Sequence, residues 1–517
     1  MKVVLLYPTW TSAYGWVGYF ARRSANCPPL NLALLAAILE NHGHEVIIVD
    51  GEATGMSLEK TVRTTLDLHP DIIGLTSYSP FFHINKDLAK AIKDVSNTPI
   101  VIGGPHITIM KEKEFDPSAF DFLFVGEAEH SFPQFLEQYE RGGDLSEVGG
   151  IIYKPNGEIV STGPPDPIVD INGDGYPLDQ FPFPARHLLP MEKYKLGTLK
   201  GRLGMTTIQA KRGCPWKCIF CASEALNTTR VIKRSPRSIV NEIKSVVSEY
   251  NIRHFSVVDD VMTLWPEQFI EICDLLDEEG LSITFEGSTR ANLITDELVK
   301  RLEKSGLIRL SFGLETVDSE MRKTMGKKVP LDHYINANKI LSKYKVEALN
   351  SVMIGLPGET RKTIEKTLVF LENSRDIKQA NFAITVPYPG TELHEMAKTG
   401  KHGIKLLSED FSEYRRYGAA VTYVNELSPN DLIELQNEGF VRIYAKPWRW
   451  KSVFGKHGVL GSFLMLYRVV ILIIKRISGR RYSKEIKFGI EETGLSGMRV
   501  SDAPTGHMGS PKNPNLL

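Results

Sequence analysis

The sequence has no excess of charge, few cysteines and no apolar leader, and each absence excludes a class of protein. Its 62 Lys and Arg balance 62 Asp and Glu over 517 residues, which excludes a basic nucleic-acid-binding protein, so no nucleic acid is expected as a partner. Five cysteines in this length exclude a disulfide scaffold. The first apolar stretch, MKVVLLYPTW, is too short for a signal peptide. These properties predict a cytoplasmic protein of several globular domains.

Three of the five cysteines nevertheless lie within eight residues. Cys214, Cys218 and Cys221 form a CxxxCxxC array in KRGCPWKCIFCASE. Thiolates bind zinc or iron–sulfur clusters, but a structural zinc site needs four ligands, and Cys27 and Cys273 each stand alone. Three thiolates on a four-iron cluster leave one iron open for a small molecule. We therefore predict a [4Fe-4S] cluster, with a truncated zinc site or chance clustering as the alternative.

The spacing of this array, with the aromatic Phe220 directly before the third cysteine, resembles that of the radical S-adenosylmethionine (SAM) superfamily. The resemblance implies that Cys214, Cys218 and Cys221 hold a catalytic [4Fe-4S] cluster. It also implies that SAM binds the open iron.

Residues 1–150 are predicted to form a parallel α/β domain. Nearly continuous apolar runs alternate with helical patterns, an order typical of a doubly wound, Rossmann-like sheet. The expected strands are 2–7, 45–49, 72–76, 99–102 and 121–125. Ligands of such sheets lie beyond the carboxyl ends of the strands. No GxGxxG follows the first strand, so a dinucleotide site is not favoured.

The segments PPLNLALLAAILENHGHEV, PDIIGLTSYS, VIGGPHIT and FVGEAEHSF resemble, in this order, the cobalamin (B12)-binding domain that precedes many radical SAM domains. The resemblance implies cobalamin at the strand ends, contacted by Thr76, Ser77, Gly103, Gly104, His106, Gly126, Glu127 and Glu129. The DxHxxG motif that supplies an axial histidine in methionine-synthase-like proteins is absent, so a corrin without a histidine ligand is expected. A sheet that only supports the next domain is the structural alternative.

Residues 151–205 are rich in proline and glycine and are predicted to be a linker; LDQFPFPAR within them resembles the linker of this family. Between 206 and 400, strands and helices alternate again. The expected strands are 206–210, 254–258, 282–286, 309–312, 347–353 and 380–385. Six such units fit a partial (β/α)6 TIM-like barrel, the radical SAM core, in which chemistry takes place at the C-terminal strand ends.

Strand-end motifs of this second domain match those of the B12-binding radical SAM family: FSVVDDVMT, STRANLIT, LSFGLETVDSEMRKTMGK, MIGLPGET and PYPGTELHEMAK. The residues expected to contact SAM are Phe220, Asp259, Asp260, Ser288, Arg290 and Glu315. The acidic residues offer acceptors for the amine of SAM, Ser288 and Arg290 offer donors for its carboxylate or ribose, and Phe220 is expected to touch the adenine.

Residues 401–487 are expected to form a mainly helical, basic extension, followed by a flexible tail at 488–517. From 442 to 487, twelve Lys and Arg stand against one acidic residue. The apolar segment 458–477 would be about 30 Å long as a helix, but Arg468 within it costs about 2.5–3.5 kcal/mol in a bilayer. A helix in the membrane interface and a buried helix that closes the barrel are equally favoured. Peripheral attachment at the inner face of the membrane is thus an alternative to a purely cytoplasmic location.

Together these features predict a cobalamin-dependent radical SAM methyltransferase. The resemblance implies a [4Fe-4S] cluster, SAM and methylcobalamin as cofactors, a 5′-deoxyadenosyl radical, and methylation of an unactivated carbon. The expected partners are a hydrophobic small-molecule substrate, such as a lipid or a tetrapyrrole, and a low-potential electron donor of the flavodoxin or ferredoxin type. An oxidative cyclase of the anaerobic magnesium-protoporphyrin ester cyclase type and a non-enzymatic cobalamin carrier or sensor are the alternatives.

Overall fold

The structure, a computed structural model, describes residues 1–11, 27–198 and 201–449. Two seven-stranded sheets organise this part of the chain. Both are mainly parallel and carry helices between their strands, so the predicted α/β class with a Rossmann-like sheet followed by a partial barrel is confirmed.

The first sheet has five parallel strands followed by two antiparallel ones. Its strands are β1 (Lys2–Tyr7), β2 (Glu45–Asp50), β3 (Ile72–Thr76), β4 (Ile100–Gly103), β5 (Phe122–Phe124), β6 (Ile151–Tyr153) and β7 (Val160–Ser161), in the order β2-β1-β3-β4-β5-β6-β7. Its helices are α1 (Leu30–Asn41), α2 (Gly51–Thr54), α3 (Leu58–Leu66), α4 (Phe82–Lys93), α5 (Pro105–Met110) and α6 (Ala128–Glu140).

Helices cover both faces of this sheet, which explains why its strands read as continuous apolar runs. In β1, Val3 and Leu5 belong to the core that also contains residues of α1 and α6. Val4 and Leu6 point to the other face and pack in the core that contains residues of α4. Alternate side chains of one strand thus enter two different cores.

The start of the predicted linker is part of this sheet. Residues 151–153 and 160–161 form β6 and β7 instead of a structureless connection, because β6 pairs with β5 and β7 with β6. A turn through Pro155 and Gly157 joins the two strands. Strands of three and two residues are too short to give a recognisable pattern within a Pro/Gly-rich segment.

The second sheet forms the partial barrel. Its strands are β8 (Lys195–Thr198), β9 (Gly201–Ile208), β12 (His254–Val257), β13 (Thr284–Thr289), β14 (Leu307–Glu315), β15 (Glu347–Ile354) and β16 (Gln379–Ile384), in the order β16-β15-β14-β13-β12-β9-β8, and the short strands β10 (Lys211–Arg212) and β11 (Ile232–Lys233) pair beside it. Strands β9 to β16 of this sheet are parallel, whereas β8 is an antiparallel edge strand. The six parallel strands are the six units predicted from the sequence.

The helices of the barrel and of the segment after it follow in chain order. They are α7 (Ser223–Asn227), α8 (Pro236–Tyr250), α9 (Pro266–Glu278), α10 (Asp296–Lys304), α11 (Ser319–Thr324), α12 (Leu331–Lys343), α13 (Arg361–Asn373), α14 (Glu392–Thr399) and α15 (Pro429–Tyr444).

The segment after residue 400 is less helical at its start than expected. Two antiparallel strands, β17 (Ile404–Leu406) and β18 (Thr422–Val424), precede α15. Helix α15 packs on β16, where the rings of Phe382 and Phe440 lie 5.3 Å apart. None of the helices in the described ranges is long and apolar enough to cross a bilayer. The apolar segment 458–477 and the predicted tail lie outside those ranges.

Candidate functional site

The loop that carries the three clustered cysteines is held by backbone contacts on both sides. Gly213, at its start, has a φ of 98°, and a side chain there would collide with the carbonyl oxygen of Arg230. Ile219 N–H donates to the carbonyl of Met325 at 3.2 Å, and the Ile219 carbonyl accepts from Leu393 N–H at 2.9 Å. The loop is therefore fixed by residues that follow β14 and β16.

The three thiols lie in one loop but are not arranged around a single ion. In the described ranges, no three His, Cys, Asp or Glu side chains lie close enough to bind one metal ion. The charges of Cys214, Cys218 and Cys221 nevertheless interact with one another. Burial raises the pKa of the Cys214 thiol, and it raises the pKa of Cys221 to about 11, with the charge of Asp260 adding to the effect. Thiolates here need a bound cation to balance them, as iron in a cluster would.

The two aspartates after β12, predicted as one acidic pair, have different surroundings. Asp259 is buried, and its Oδ1 accepts hydrogen bonds from Ala210 N–H at 2.8 Å and Lys211 N–H at 3.0 Å. Its Oδ2 lies 3.1 Å from Lys211 Nζ, whose side chain is also fully buried. Asp260, in contrast, is exposed and accepts a hydrogen bond from Ser223 Oγ at 3.1 Å. Only Asp260 therefore faces the cysteine loop with its carboxylate, and Asp259 stabilises the fold.

Glu315, at the end of β14, is neutralised by a neighbouring lysine. Lys327 Nζ donates to Glu315 Oε1 at 2.8 Å, and both side chains are buried. Gly313 leaves the room for this pair, because a Cβ there would lie 2.5 Å from Lys327 Nζ. Glu315 has a φ of 59°, the left-handed region that non-glycine residues rarely adopt. Backbone strain at a strand end is typical of a functional position.

Arg290 and Ser288 lie at the end of β13, beside the cysteine loop. The Arg290 guanidinium stacks 4.1 Å above the ring centroid of Trp216 in that loop. Its Nε is buried and has no hydrogen-bond partner among the described residues. Ser288 is exposed, and Phe220 is half-buried against the main core. An unpaired buried donor next to the loop fits an anionic group of a bound ligand.

A cavity of about 330 Å³ lies at the carboxyl ends of the first sheet, and residues on either side of the cysteine loop line part of it. Its inner wall is apolar and includes Leu5, Leu32, Val101, Phe124 and Phe132. Residues of the barrel form its opposite wall, namely Gln209, Arg212, Leu226 and Asn227. The cavity is therefore shared by the two domains.

Most of the residues predicted to bind cobalamin line this cavity: Thr76, Gly103, Gly104, Gly126, Glu127 and Glu129. Gly104 has a φ of 98°, and a Cβ there would lie 2.8 Å from the backbone of Ser77 and from Thr76 Oγ1. Ser77 and Gly104 are packed together in this way, and Ser77 is buried instead of lining the cavity.

His106 also lies away from the cavity wall. It is fully buried, and its Nδ1 is 3.0 Å from Ser79 Oγ while its Nε2 is 3.5 Å from Glu114 Oε1. Its ring packs against Phe82 and Phe411 at 4.5 and 5.0 Å. The structure therefore places His106 as a packing residue between the first domain and the segment after residue 400. This position agrees with a corrin that has no ligand from His106.

Comparison with known proteins identifies both domains. The B12 binding domain model matches residues 17–136, and the Radical SAM superfamily model matches residues 208–371. An uncharacterised methyltransferase of Pyrococcus horikoshii is 30% identical over 463 residues, which is 89% of this chain and 96% of the relative. This chain belongs to the cobalamin-binding radical SAM family. It is therefore a radical SAM enzyme, and its cofactors are a [4Fe-4S] cluster, SAM and cobalamin, as predicted.

Two further likenesses lie within the same architecture. The anaerobic magnesium-protoporphyrin IX monomethyl ester cyclase of Rubrivivax gelatinosus is 27% identical over 80% of this chain and 72% of the relative. The solved structure of the radical SAM methyltransferase TsrM from Kitasatospora setae superposes with a TM-score of 0.67 at 16% identity, covering 86% of this chain and 89% of that chain. At this identity the structural likeness shows the fold alone.

The residues of this radical SAM enzyme fit its cofactors. Buried thiols that need a cation fit the cluster, and the unpaired Nε of Arg290 fits the carboxylate of SAM. The interdomain cavity, with an apolar inner wall and a polar rim, fits a bulky cofactor such as cobalamin. In β3, Gly74 leaves room for the Leu5 side chain in the cavity wall, because a Cβ there would lie 2.7 Å from Leu5 Cδ2.

Four residues of the site were missed by sequence reasoning. Lys211 pairs with Asp259, Lys327 pairs with Glu315, and Trp216 stacks on Arg290. Arg212 pairs with two glutamates of the cobalamin-binding domain, at 2.6 Å from Glu127 and 2.8 Å from Glu129. All four lie inside the quoted motifs, three in KRGCPWKC and one in TMGK. The signal was present as cations and an aromatic residue beside the predicted ligands.

Proposed function

We propose that the protein is a cobalamin-dependent radical SAM methyltransferase that methylates an unactivated carbon of a hydrophobic small molecule. The observation that carries this proposal is the shared cavity, whose walls come from the B12-binding strand ends and from residues beside the cluster loop. A methyl donor and a radical source are thereby held on facing surfaces. The methyltransferase name of the relative that matches over 96% of its length supports the same activity.

When bound, the cluster and SAM supply a hydrogen-abstracting radical, and cobalamin supplies a methyl group. The chain's own residues bind and orient these groups. Arg290 and Ser288 donate to the carboxylate of SAM, and Asp260 accepts from its amine. Asp260 is assigned this role because Asp259 is paired with Lys211 and because Glu315 is paired with Lys327.

The surroundings of the site support a hydrophobic substrate. After β16, Tyr388 lies 6.4 Å from Tyr414, whose ring is 5.2 Å from that of Phe411. Phe411 in turn packs on His106 of the cobalamin-binding domain. These aromatic rings form an apolar contact between the segment after β16 and the cobalamin-binding domain.

An oxidative cyclase is the second candidate, because the cyclase of Rubrivivax gelatinosus aligns with 80% of this chain at 27% identity. Isotope labelling separates the two activities. In cells fed methionine with a trideuterated methyl group, a methyltransferase product carries one intact labelled methyl group more than its substrate, whereas a cyclisation product has lost hydrogen and carries no label beyond that of its substrate. Metabolites of a deletion strain, its parent and the complemented deletion strain, compared by mass spectrometry, reveal the product that is lost and the substrate that accumulates. A product with one labelled methyl group more than this substrate supports methyl transfer, and a product with no added label contradicts it.

The remaining partners follow from the same proposal. Reduction of the cluster requires a low-potential donor of the flavodoxin or ferredoxin type. The basic segment from residue 442 to 487 is proposed to contact the membrane surface, which suits a lipid or tetrapyrrole substrate. Flotation with anionic vesicles tests this contact: full-length protein should float, and a chain truncated after residue 450 should not. Equal behaviour of the two chains would contradict it.

A further inference from the structure

We propose that Arg212 is a positioning residue that fixes the cluster loop against the cobalamin-binding domain. The inference rests on the proposed function, because it assigns a task to a contact between the two cofactor sites. Arg212 belongs to β10 and lies two residues before Cys214. Its Nη1 lies 2.6 Å from Glu127 Oε1 and 2.8 Å from Glu129 Oε1. One side chain thus connects the start of the cluster loop to the other domain.

The backbone of Arg212 is rigidly held in the radical SAM domain. It pairs with Ile232 of β11. The preceding residue, Lys211, donates its N–H to the buried Asp259 at 3.0 Å, and the following residue, Gly213, is packed against Arg230. The Arg212 side chain therefore extends from backbone whose position relative to Cys214 is fixed within the radical SAM domain.

The two carboxylates are equally well fixed in the cobalamin-binding domain. Glu127 is the residue before the first turn of α6, and Glu129 lies within that turn. The turn that leads into them is held by Gly126 N–H, which donates to Thr108 Oγ1 at 3.0 Å. Both carboxylates therefore have defined positions relative to the strand ends of the first sheet.

The charges of this triad make the connection specific. The side chains of Arg212, Glu127 and Glu129 are 18%, 29% and 12% exposed, so the ion pairs are partly shielded from solvent. One guanidinium pairs with two carboxylates at the rim of the shared cavity. Loss of Arg212 removes the connection and also leaves two neighbouring carboxylates of the cobalamin-binding domain without their cation.

Hydrogen exchange of the cofactor-free protein tests the connection directly. We expect Arg212→Gln to accelerate exchange in peptides covering 122–131 and 209–221 by at least about tenfold, as loss of a charged hydrogen bond implies. Arg212→Lys, which can still pair with one carboxylate, should give a smaller change. Arg237→Gln is the matched control, because it removes an exposed ion pair with Glu279 at 3.1 Å within the radical SAM domain. It should leave both peptides unchanged.

Electron paramagnetic resonance of the reconstituted enzyme tests whether Arg212 positions the cluster relative to cobalamin. In the wild type, the cob(II)alamin signal should show a defined dipolar splitting from the reduced cluster. In Arg212→Gln the splitting should be broadened, while cluster and cobalamin contents stay the same. If Arg212→Gln does not fold, the double variant Glu127→Gln/Glu129→Gln removes the same connection without altering the cluster loop.

The outcomes separate this inference from the proposed function. Wild-type protein that binds no hydroxocobalamin overturns the proposed function and with it the positioning role, even where exchange shows that the interdomain connection exists. Hydrogen exchange that is unchanged in both Arg212→Gln and the double variant Glu127→Gln/Glu129→Gln overturns the inference. Unchanged dipolar splitting in a fully loaded variant overturns it as well, and in both of these cases the proposed function stands.

Discussion

Glu359, which follows the Gly355–Gly358 turn after β15, should make the stability of this enzyme depend on pH. Its side chain is buried, and its Oε2 accepts hydrogen bonds from Gly355 N–H at 2.7 Å and Leu356 N–H at 3.0 Å. Burial raises the pKa of Glu359 from 4.5 to about 8, although these two backbone donors oppose the effect. The folded chain therefore holds this proton far more tightly than the unfolded chain.

The sign and size of the effect follow from linkage. The stabilisation is fully present below about pH 4.5 and is lost as the pH rises through about 8. At about 1.4 kcal/mol for each pH unit, the full change is on the order of 5 kcal/mol. Most of it falls between pH 5 and pH 9, a range in which Glu359→Gln carries no charge and keeps an oxygen that can accept both N–H groups.

The comparison of Glu359→Gln with the wild type at several pH values isolates this group, since all other titrations are shared. Scanning calorimetry from pH 5 to pH 9 should show the variant gaining stability relative to the wild type as the pH rises. A fixed offset at low pH is compatible with the reasoning, because the added amide hydrogens need acceptors. A difference that stays constant over the whole range would refute it.

Four further substitutions test other parts of the site. Asp259→Asn leaves the buried Lys211 charge unpaired and should cost about 3–5 kcal/mol in unfolding free energy, whereas Asp260→Asn, at an exposed position, should leave stability unchanged and weaken SAM binding in equilibrium dialysis. Lys327→Met leaves the buried Glu315 without its cation and should lower the unfolding free energy, measured by thermal denaturation, by a similar amount. A loss below about 1 kcal/mol, the size for a surface pair, would contradict the burial of the Lys327–Glu315 pair. Gly104→Ala should lower the affinity for hydroxocobalamin in absorbance titrations, because its Cβ would lie 2.8 Å from the Ser77 backbone, and unchanged affinity would count against Gly104 lying at the cofactor rim.

The order of strands and helices could be predicted because both sheets are covered by helices. Buried parallel strands need apolar residues on both faces, so β1 and β3 read as short apolar runs between longer helical patterns. Among the strands missed were β6 and β7, at the edge of the first sheet. With three and two residues they contribute little apolar surface. Their formation also depends on pairing with β5, a strand distant in sequence, which a local sequence pattern does not predict.

The candidate site was predictable as a set of motifs but not as a set of contacts. Asp259 and Asp260 are adjacent in sequence, yet one side chain enters the fold and the other faces the cysteine loop. Successive side chains at the end of a strand point to opposite sides, so a pair of neighbouring acids rarely serves one ligand. This rule, applied to the strand 254–258, would have predicted different surroundings for the two side chains.

The acidic residues at the strand ends show why a motif alone does not define a ligand set. Glu315 and the pair Glu127 and Glu129 each have a cationic partner, supplied by Lys327 and Arg212 respectively. A buried carboxylate that stays ionised requires such a partner whether or not a cofactor is bound. Each acid in these motifs therefore serves the fold first, and its charge is available to a cofactor only where the structure leaves it without a cation. Of the five acids predicted to contact SAM or cobalamin, four are paired with a cation: Asp259, Glu315, Glu127 and Glu129. The fifth, Asp260, is exposed, so its role is the one that a charge-removing substitution can measure without unfolding the protein.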